Sequence, residues 1–390
     1  MRVLSILLLL LLTITGCGSQ QPPSEPSAPE EMAVPAVIVP ETTAAADPVE
    51  EMLASMSLRE KVGQLFIVRP EALDPALEAC KELNDGIRNG LIQYPVGGFV
   101  LFYENLSSPE QVTGLNAALQ SACTIPPFLA VDEEGGLVSR LANHKAFSLP
   151  KFDSAASIPG PDQAREMGRT IGAYLREYGF NMDFAPVADV NTNPDNPVIG
   201  TRAFSSDPAI AGQMAAAMAE GLRENGIIPT FKHFPGHGDT DEDSHAKIAV
   251  SHKTQAELTD CEFIPFTWTL STDCIMVGHI ALPEITGTLA PATLSRLIVT
   301  GLLKDQLGFQ GLVITDALDM EAITGTYTAA EAAVLALQAG CDLLLMPENL
   351  TEAFEGVVAA VEDGRLKERW LEETVRRVLE FKMAHGILVI

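Results

Sequence analysis

The sequence has 390 residues, of which 47% are hydrophobic, and its formal net charge at pH 7 is −27. This length and apolar content allow one large domain or two ordinary ones, and they exclude disorder over most of the chain. The negative charge repels nucleic acids and anionic membrane surfaces, which argues against nucleic acid as a partner.

The N-terminus has the features of an export signal. Arg2 is followed by an apolar run to Leu12 that is too short to span a bilayer comfortably. The small residues before Cys17 resemble the lipobox of bacterial lipoproteins. We therefore expect residues 1–16 to be a signal peptide and a lipid on Cys17 to anchor the protein on the extracytoplasmic side of a bacterial membrane. An ordinary signal peptide with an incidental cysteine is the alternative.

The segment after the signal differs in composition from the rest of the chain. Residues 17–47 are rich in Pro, Ser, Glu and Ala, which predicts a disordered, solvated tether ahead of a folded domain at 48–390. The cysteines that follow Cys17 are odd in number and include no C-x-x-C pair, so neither a zinc knuckle nor a disulfide framework is indicated. They are Cys80, Cys123, Cys261, Cys274 and Cys341.

Beyond the tether, apolar strand candidates alternate with segments of helical periodicity. Continuous apolar runs indicate a parallel sheet that is buried on both faces. Eight such units predict a (β/α)8 TIM-type barrel in a single catalytic α/β domain, with an open doubly wound sheet as the alternative. The strand candidates are 64–68, 97–102, 127–131, 182–187, 227–231, 274–278, 311–315 and 341–346. The helix candidates are 108–119, 162–178, 207–225, 254–270, 294–307 and 350–382.

Polar residues cluster where these strand candidates end. In a barrel the carboxyl ends of the strands converge on one mouth, where active sites are built, whereas an open sheet would keep the third, fifth and seventh strands apart. The clusters are Asp132 to Glu134, Asp189 with Asn191, Lys232 with His233, His279, Thr315 with Asp316, and residues 347–349.

The densest cluster runs from Phe231 to His245 and is rich in histidine and carboxylate side chains. In it Asp243 lies two residues before His245, close enough for a hydrogen bond in a bent loop. Such a bond orients the ring and raises its basicity, so that His245 can act as an acid and a base near neutral pH. Because the loop is rich in Gly, Asp and Ser, we expect it to move to bring His245 to a substrate.

Two other strand ends carry candidate site residues. Asp132 could accept hydrogen bonds from sugar hydroxyls and Arg140 could add a second polar contact, although a solvated acidic turn would also explain this stretch. Asp316 ends a fully apolar strand, where an unpaired carboxylate is costly. It is therefore functional or paired, or else it caps the next helix. Asp319 is better explained as a helix start.

Together these motifs resemble the family 3 glycoside hydrolases, in their β-N-acetylhexosaminidase branch. The resemblance covers about 47–388 and is most specific at Lys232 to Gly238 with the Asp-Ser-His triplet at 243–245. The stretches 132–136, 196–202 and 315–320 follow the order of the family's other motifs.

The resemblance implies a TIM-barrel retaining glycosidase that removes terminal N-acetylglucosamine from muropeptides or related glycans. It implies that Asp316 is the nucleophile and that His245, oriented by Asp243, is the acid/base. It implies neither a metal nor a cofactor, and a monomer is expected. The implied sugar-binding residues are Asp132, Arg140, Arg202, Lys232 and His233.

The sequence departs from the usual pattern of the family at Glu133, where Gln is common, and we expect this side chain to point away from the sugar. The single barrel, without the second domain of the family's β-glucosidases, favours the hexosaminidase branch.

Several alternatives remain open at this point. One is a β-glucosidase of the same family, and another is a phosphorolytic side activity. A third is a metal-dependent hydrolase with His233, His237, Asp243 and His245 as ligands. Pro235 and Gly236, however, forbid the zinc helix that the spacing of the first two histidines would need. The last is a tethered sugar-binding lipoprotein built from two lobes of open sheet.

Overall fold

The computed structural model describes residues 47–241 and 248–389. The signal peptide, the acylation of Cys17 and nearly all of the tether lie outside the described residues. So do Asp243 and His245, together with the expected movement of their loop.

The elements alternate between strands and helices along the chain. The strands are β1 Phe66–Val68, β2 Gly98–Leu101, β3 Phe128–Val131, β4 Glu133–Gly135, β5 Val138–Ser139, β6 Met182–Asp183, β7 Ile228–Phe234, β8 Ala249–Val250, β9 Cys274–Val277, β10 Ile280–Ala281, β11 Leu312–Thr315 and β12 Leu344–Leu345. The helices are α1 Pro48–Ser55, α2 Leu58–Gly63, α3 Asp85–Gln93, α4 Pro109–Ala122, α5 Pro161–Glu177, α6 Pro208–Arg223, α7 Gln255–Asp260, α8 Pro283–Thr286, α9 Glu321–Thr324, α10 Ala329–Ala339, α11 Leu350–Glu362 and α12 Glu368–Ala384. A π-helix spans Leu297–Gln306.

Eight parallel strands form the central sheet in the order β11-β9-β7-β6-β3-β2-β1-β12. A parallel bridge between Ile314 and Leu343 joins the two ends, and the Thr315 amide donates to the Leu343 carbonyl at 3.0 Å. The sheet therefore closes into the predicted TIM-type barrel. The doubly wound sheet and the two-lobed binding protein are both wrong, because each requires an open sheet.

The core follows from the apolar runs of the sequence. Strands β2, β3, β9 and β11 are buried along their whole length, as expected for strands covered by helices on the outside and by side chains inside the barrel. Helices begin at side-chain caps, for example Ser57, Thr254 and Thr328, each of which forms a capping box with a glutamate.

Helices α5 and α6 pack especially closely, and glycine allows it. A Cβ on Gly168 would lie 2.0 Å from the Met218 carbonyl oxygen, and one on Gly221 would lie 2.1 Å from the Arg165 carbonyl oxygen. Both distances are far below contact, so these two positions require glycine.

The helices in the last third of the chain differ from the prediction. The segment predicted as one helix at 350–382 is two helices, because Gly364 adopts a left-handed φ of 80° after α11. The predicted helix 254–270 is the short α7 followed by a 3-10 turn at Pro265–Trp268. The predicted helix 294–307 is the π-helix.

The amino-terminal end of the barrel is closed by a buried lysine. Lys382 of α12 is fully buried, and its Nζ donates to Gln64 Oε1 and to the Gly97 carbonyl, each at 2.9 Å. The ammonium also lies 4.8 Å from the centre of the Phe128 ring. Burial lowers the pKa of Lys382 to about 7.

Two further observations concern the described part of the chain. Cys80, Cys123, Cys261, Cys274 and Cys341 are all free thiols, as the sequence predicts. Within 47–241 and 248–389, no helix has the length and apolar character that a membrane span needs.

Candidate active site

A cavity of about 330 Å³ opens at the carboxyl ends of the barrel strands. It brings together six of the eight residues that were predicted for catalysis and sugar binding; the other two, Asp243 and His245, lie outside the described residues. The six are Asp132, Arg140, Arg202, Lys232, His233 and Asp316. The convergence of strand ends that the sequence predicts is therefore present.

One wall of the cavity is a network of paired charges. Lys232 Nζ lies 2.7 Å from both Asp132 Oδ1 and Glu134 Oε1. Arg202 binds Glu134 in bidentate fashion, at 2.9 Å through Nε and 2.7 Å through Nη2. Arg140 Nη2 reaches Asp132 Oδ2 at 3.2 Å. These residues come from strands and loops far apart in sequence, so the network links β3, β7 and the loop before α6.

The pairing keeps Glu134 and Lys232 charged despite their burial. Burial alone would raise the pKa of Glu134, but Lys232 and Arg202 lower it well below its usual range. Burial lowers the pKa of Lys232, but the two carboxylates raise it above its ordinary value. The solvated acidic turn is therefore the wrong explanation of this stretch, since Glu134 is buried and Asp132 is mostly so.

Glu133 points away from the cavity, as expected, and holds the turn after β3 in place. Its carboxylate accepts hydrogen bonds from the Leu141 and Ala142 amides at 2.8 and 3.0 Å, and from the Tyr174 hydroxyl at 2.9 Å. Its own amide donates to Asp183 Oδ1 at 2.9 Å. The turn that presents Asp132 and Glu134 is thus anchored from behind.

The His233 ring is oriented by a buried carboxylate. Asp189 Oδ2 lies 2.7 Å from His233 Nδ1, and Asp189 Oδ1 accepts from the His237 amide at 2.7 Å. Burial raises the pKa of Asp189, but His233 and His237 lower it below the ordinary value, so the carboxylate is ionised and Nδ1 donates. This leaves Nε2 as the nitrogen of His233 available to a ligand. The peptide bonds Lys232–His233 and Phe234–Pro235 are cis.

Asp316 lies at the end of β11 and faces the same cavity. Its Oδ1 accepts a hydrogen bond from the Ala317 amide at 2.8 Å. Burial raises its pKa, but the His233 and His279 rings, the Ala317 amide and Lys232 lower it, and the net shift is downward. Helix α9 begins later and has Met320 at its N-cap position. The helix-cap explanation of Asp316 is therefore wrong.

Asp319 also does not start the helix. No side chain caps α9, and Asp319 lines the cavity together with Met320. The sequence favours a helix start at this aspartate because one helix follows closely, but the chain makes a further turn first.

The beginning of the histidine-rich loop is tied to the loop at 193–202. Asn196 Nδ2 donates to the His237 and Thr240 carbonyls at 2.8 and 2.9 Å, and Asn193 Nδ2 reaches Asp241 Oδ1 at 2.7 Å. The Pro and Gly residues in 196–202 are typical of a surface loop. In the structure this loop instead holds the start of the histidine-rich loop through Asn196, and it also supplies Arg202 to the cavity.

The rim of the cavity contains residues that sequence reasoning missed. The guanidinium carbons of Arg69 and Arg140 lie 5.2 and 4.9 Å from the centre of the Phe102 ring. Arg69 Nε also donates to Glu71 Oε1 at 2.6 Å. The available signal was position alone, because Arg69 and Phe102 follow the first two barrel strands. Glu134 and Asp189 also follow strand candidates, so their positions could be predicted. Their pairing with Arg202 and His233 could not be seen in the sequence.

The spacing of His233 and His237 does not produce a zinc helix. His233 lies within β7, and His237 follows a turn at Pro235. In the described ranges, no group of three or more His, Cys, Asp or Glu side chains is arranged to hold a metal ion. Two residues of the suggested metal site, Asp243 and His245, fall outside those ranges.

Residues 57–381 match the family model described as the glycosyl hydrolase family 3 N-terminal domain. The chain is 33% identical to beta-hexosaminidase LpqI of Mycobacterium tuberculosis, over 98% of this chain and 97% of that protein. It is 33% identical to beta-hexosaminidase A of Pseudoalteromonas piscicida over 74% of this chain, and it spans only 54% of that relative's length.

A third relative and a solved structure give the same grouping. The beta-N-acetylglucosaminidase/beta-glucosidase of Cellulomonas fimi is 30% identical over 87% of this chain, and the match covers 60% of the relative. The structure of a family 3 beta-N-acetylglucosaminidase from Paenibacillus sp. superimposes with a TM-score of 0.79 and 34% identity. That superposition covers 85% of this chain and 63% of the other.

Proposed function

Because the chain belongs to glycosyl hydrolase family 3, we propose that it is a retaining β-N-acetylhexosaminidase that removes terminal, non-reducing N-acetylglucosamine. The observation that carries this proposal is the position of Asp316, a carboxylate with a lowered pKa, in the same cavity as the wall of paired charges. A carboxylate that stays ionised can attack an anomeric carbon, and fixed charges opposite it can hold the sugar in position.

The sugar is held by the wall of paired charges. Asp132 supplies acceptors for hydroxyl groups, while Lys232, Arg140 and Arg202 supply donors. His233 donates or accepts through Nε2, because Asp189 already holds Nδ1. Each of these groups is fixed by another charged group, so little conformational entropy is lost when a sugar binds.

The reaction proceeds in two displacements. Asp316 attacks the anomeric carbon while the acid/base protonates the glycosidic oxygen, so the aglycone leaves as an alcohol and a glycosyl ester forms on Asp316. A water molecule, deprotonated by the same acid/base, then attacks the anomeric carbon. This step releases the sugar with its original configuration and regenerates both groups.

We assign the acid/base role to His245, with Asp243 orienting its ring. The support lies in the chain on either side. Asn193 and Asn196 fix the loop up to Asp241, and Ser251 Oγ bonds Asp239 Oδ2 at 2.7 Å, so the ends of the segment are tied beside the cavity. A neutral imidazole next to an anionic nucleophile also avoids the repulsion between two carboxylates.

The natural substrate that we propose is a muropeptide or a related glycan bearing N-acetylglucosamine. The support is the predicted export signal and Cys17, since a lipid on this cysteine would anchor the protein outside the cytoplasm and near the cell wall. We also propose that the protein acts as a monomer.

A comparison of two substrates tests the activity. We expect the purified protein to release nitrophenol from the aryl β-N-acetylglucosaminide with a kcat/KM at least about tenfold higher than from the aryl β-glucoside, a gap typical of a pocket built for one substituent. Asp316→Ala is the matched control and should abolish both activities. Turnover of neither substrate by folded protein would contradict the proposal.

A β-glucosidase is the second candidate. It is favoured by the Cellulomonas fimi relative, whose name carries both activities. Equal kcat/KM values on the two aryl glycosides would establish this dual activity.

A further inference from the structure

His279 is a buried histidine that the proposed mechanism leaves without a role. It follows β9 by two residues, has no solvent exposure, and lies beside the strand that ends in Asp316. It is also one of the groups that lower the pKa of Asp316. A fully buried imidazole this close to a reacting carboxylate needs an explanation.

Both ring nitrogens of His279 have defined partners. Nε2 lies 2.8 Å from the carbonyl oxygen of Ala317, and Nδ1 lies 2.8 Å from Thr293 Oγ1. A carbonyl oxygen can only accept, so Nε2 carries a proton and donates it. The ring therefore donates a hydrogen bond to the carbonyl of Ala317, the residue that directly follows Asp316.

Thr293 fixes the ring from the other side. Its hydroxyl lies 2.9 Å from the Gly278 carbonyl and 3.1 Å from the Val277 carbonyl, and it has no solvent exposure. The threonine thus links the end of β9 to the ring of His279. The ring plane is set by contacts that are independent of any substrate.

The backbone around Asp316 is otherwise held by main-chain hydrogen bonds. The Asp316 amide donates to the Val277 carbonyl and the Leu318 amide to the Leu345 carbonyl, each at 2.9 Å. The Ala317 amide binds Asp316 Oδ1. Among the described residues Oδ2 has no hydrogen bond, so it is the oxygen available for attack. The Ala317 amide that binds Oδ1 and the Ala317 carbonyl that His279 binds lie on either side of the same Cα, so a hydrogen bond to the carbonyl constrains the turn that carries the carboxylate.

We propose that His279, oriented by Thr293, is a positioning residue for Asp316. It fixes the Ala317 carbonyl, and through the turn it fixes the carboxylate at the angle needed for attack on the anomeric carbon. It does not touch the sugar. This inference rests on the proposed role of Asp316 as the nucleophile.

Three substitutions of His279 separate the two hydrogen bonds. The amide nitrogen of Gln superimposes on Nε2 and keeps the donor to Ala317, whereas that of Asn superimposes on Nδ1 and reaches only Thr293. We expect His279→Ala and His279→Asn to lower kcat on the aryl β-N-acetylglucosaminide about 30-fold, with KM within about twofold, because misplacing a reacting group by a fraction of an ångström has this effect. His279→Gln should recover to within about fivefold of the unchanged protein. Equal losses in Gln and Asn, or unchanged kcat in all three, would overturn the proposal.

A second measurement removes the nucleophile altogether. In Asp316→Ala, azide can attack the sugar directly and release the aryl leaving group. Adding His279→Ala to this background should leave the azide-dependent rate within about twofold, because the ring acts only through Asp316. A further tenfold loss would overturn the positioning role, since the ring would then act on the substrate or on the fold. If Asp316→Ala alone kept its activity without azide, the proposed function itself would fail.

Discussion

Asp189 illustrates how one buried carboxylate organises several functional groups. It accepts from the backbone amides of His233 and His237 and from the His233 ring, and it has almost no solvent exposure. The pKa of Asp189 stays below its ordinary value despite burial, because the two histidines and these amides favour the charged form. Its charge therefore determines which nitrogen of His233 faces the cavity.

Replacing this carboxylate by an amide tests the role. In Asp189→Asn the shape is kept but the charge is lost, and the amide nitrogen can face a donor. We expect kcat/KM on the aryl β-N-acetylglucosaminide to fall about 10- to 100-fold, because His233 loses its orientation. The matched control is Asp363→Asn, an exposed aspartate after α11. A change of less than twofold at Asp189 would show that the ring is held by other contacts.

The lowered pKa of Asp316 makes a prediction about pH dependence. Because its pKa in the folded protein lies below the ordinary value of 3.8, the nucleophile stays ionised as the pH falls through the range where histidines titrate. The first displacement sets kcat/KM, and in it His245 must be protonated to act as the acid. We therefore expect kcat/KM to fall on the alkaline side, as His245 loses its proton at about pH 6.5. In His245→Ala, with a nitrophenyl leaving group that needs no acid, this alkaline limb should disappear, while the acid limb, set by Asp316, should stay below about pH 4.

The control for the pH profile is a substrate with a poor leaving group. There His245→Ala should be almost inactive, because nothing protonates the glycosidic oxygen. Full turnover of such a substrate, or an unchanged alkaline limb, would remove His245 from the acid/base role.

At the scale of elements, the eight strands could be predicted because each is a continuous apolar run ended by polar residues. All eight predicted strands are present, and their ends deliver Asp132, Lys232 and Asp316 to one cavity. The helices were harder to delimit. The break at Gly364 depends on a single left-handed residue, and the π-helix at 297–306 has the same periodic apolar pattern as an α-helix.

The pairing of side chains could not be predicted for a physical reason. Glu134 and Arg202 are 68 residues apart, and Asp189 and His233 are 44 apart. Such pairs are set by the register between strands and by loop conformation, and neither leaves a local pattern in the sequence. Hence the sequence indicated the residues of the wall but not the ion pairs that hold them.

The close contact between α5 and α6 gives a prediction of stability. In Gly168→Ala the new Cβ would meet the Met218 carbonyl at 2.0 Å, so the helices must separate. We expect the free energy of unfolding, measured in urea, to fall by about 1–3 kcal/mol. Gly114→Ala is the matched control within α4, because nothing lies within 4 Å of its Cβ. That variant should be more stable by about 0.5–1 kcal/mol, and equal effects at the two sites would contradict the packing argument.

At the scale of the whole molecule, Lys382 links barrel closure to pH. Its pKa is about 7 in the folded protein against an ordinary value of 10.5. Between these values the unfolded chain binds more protons, so raising the pH favours folding. Below about pH 7 the Lys382 ammonium is charged in both the folded and the unfolded protein, so the full free-energy cost of burying this charge remains.

A difference measurement isolates this residue. In Lys382→Met the titration is removed, while the Gly97 carbonyl keeps its hydrogen bond from the Phe128 amide. We expect the stability of the unchanged protein relative to Lys382→Met to rise between pH 7 and pH 10, by at most about 1.4 kcal/mol per pH unit. Urea unfolding of both proteins at several pH values checks this. A pH-independent difference would show that Lys382 has the same pKa in both states.

The residues that line the cavity come from strands around the whole ring, since Arg69 follows β1, Lys232 lies in β7 and Asp316 follows β11. No fragment of the chain can therefore assemble the sugar site, and it exists only once the ring has closed. A bound sugar should therefore stabilise the closed barrel, because it would contact groups from several of its strands. The cell would then gain a protein whose resistance to heat and proteolysis rises whenever its substrate is plentiful, and falls when the substrate is used up.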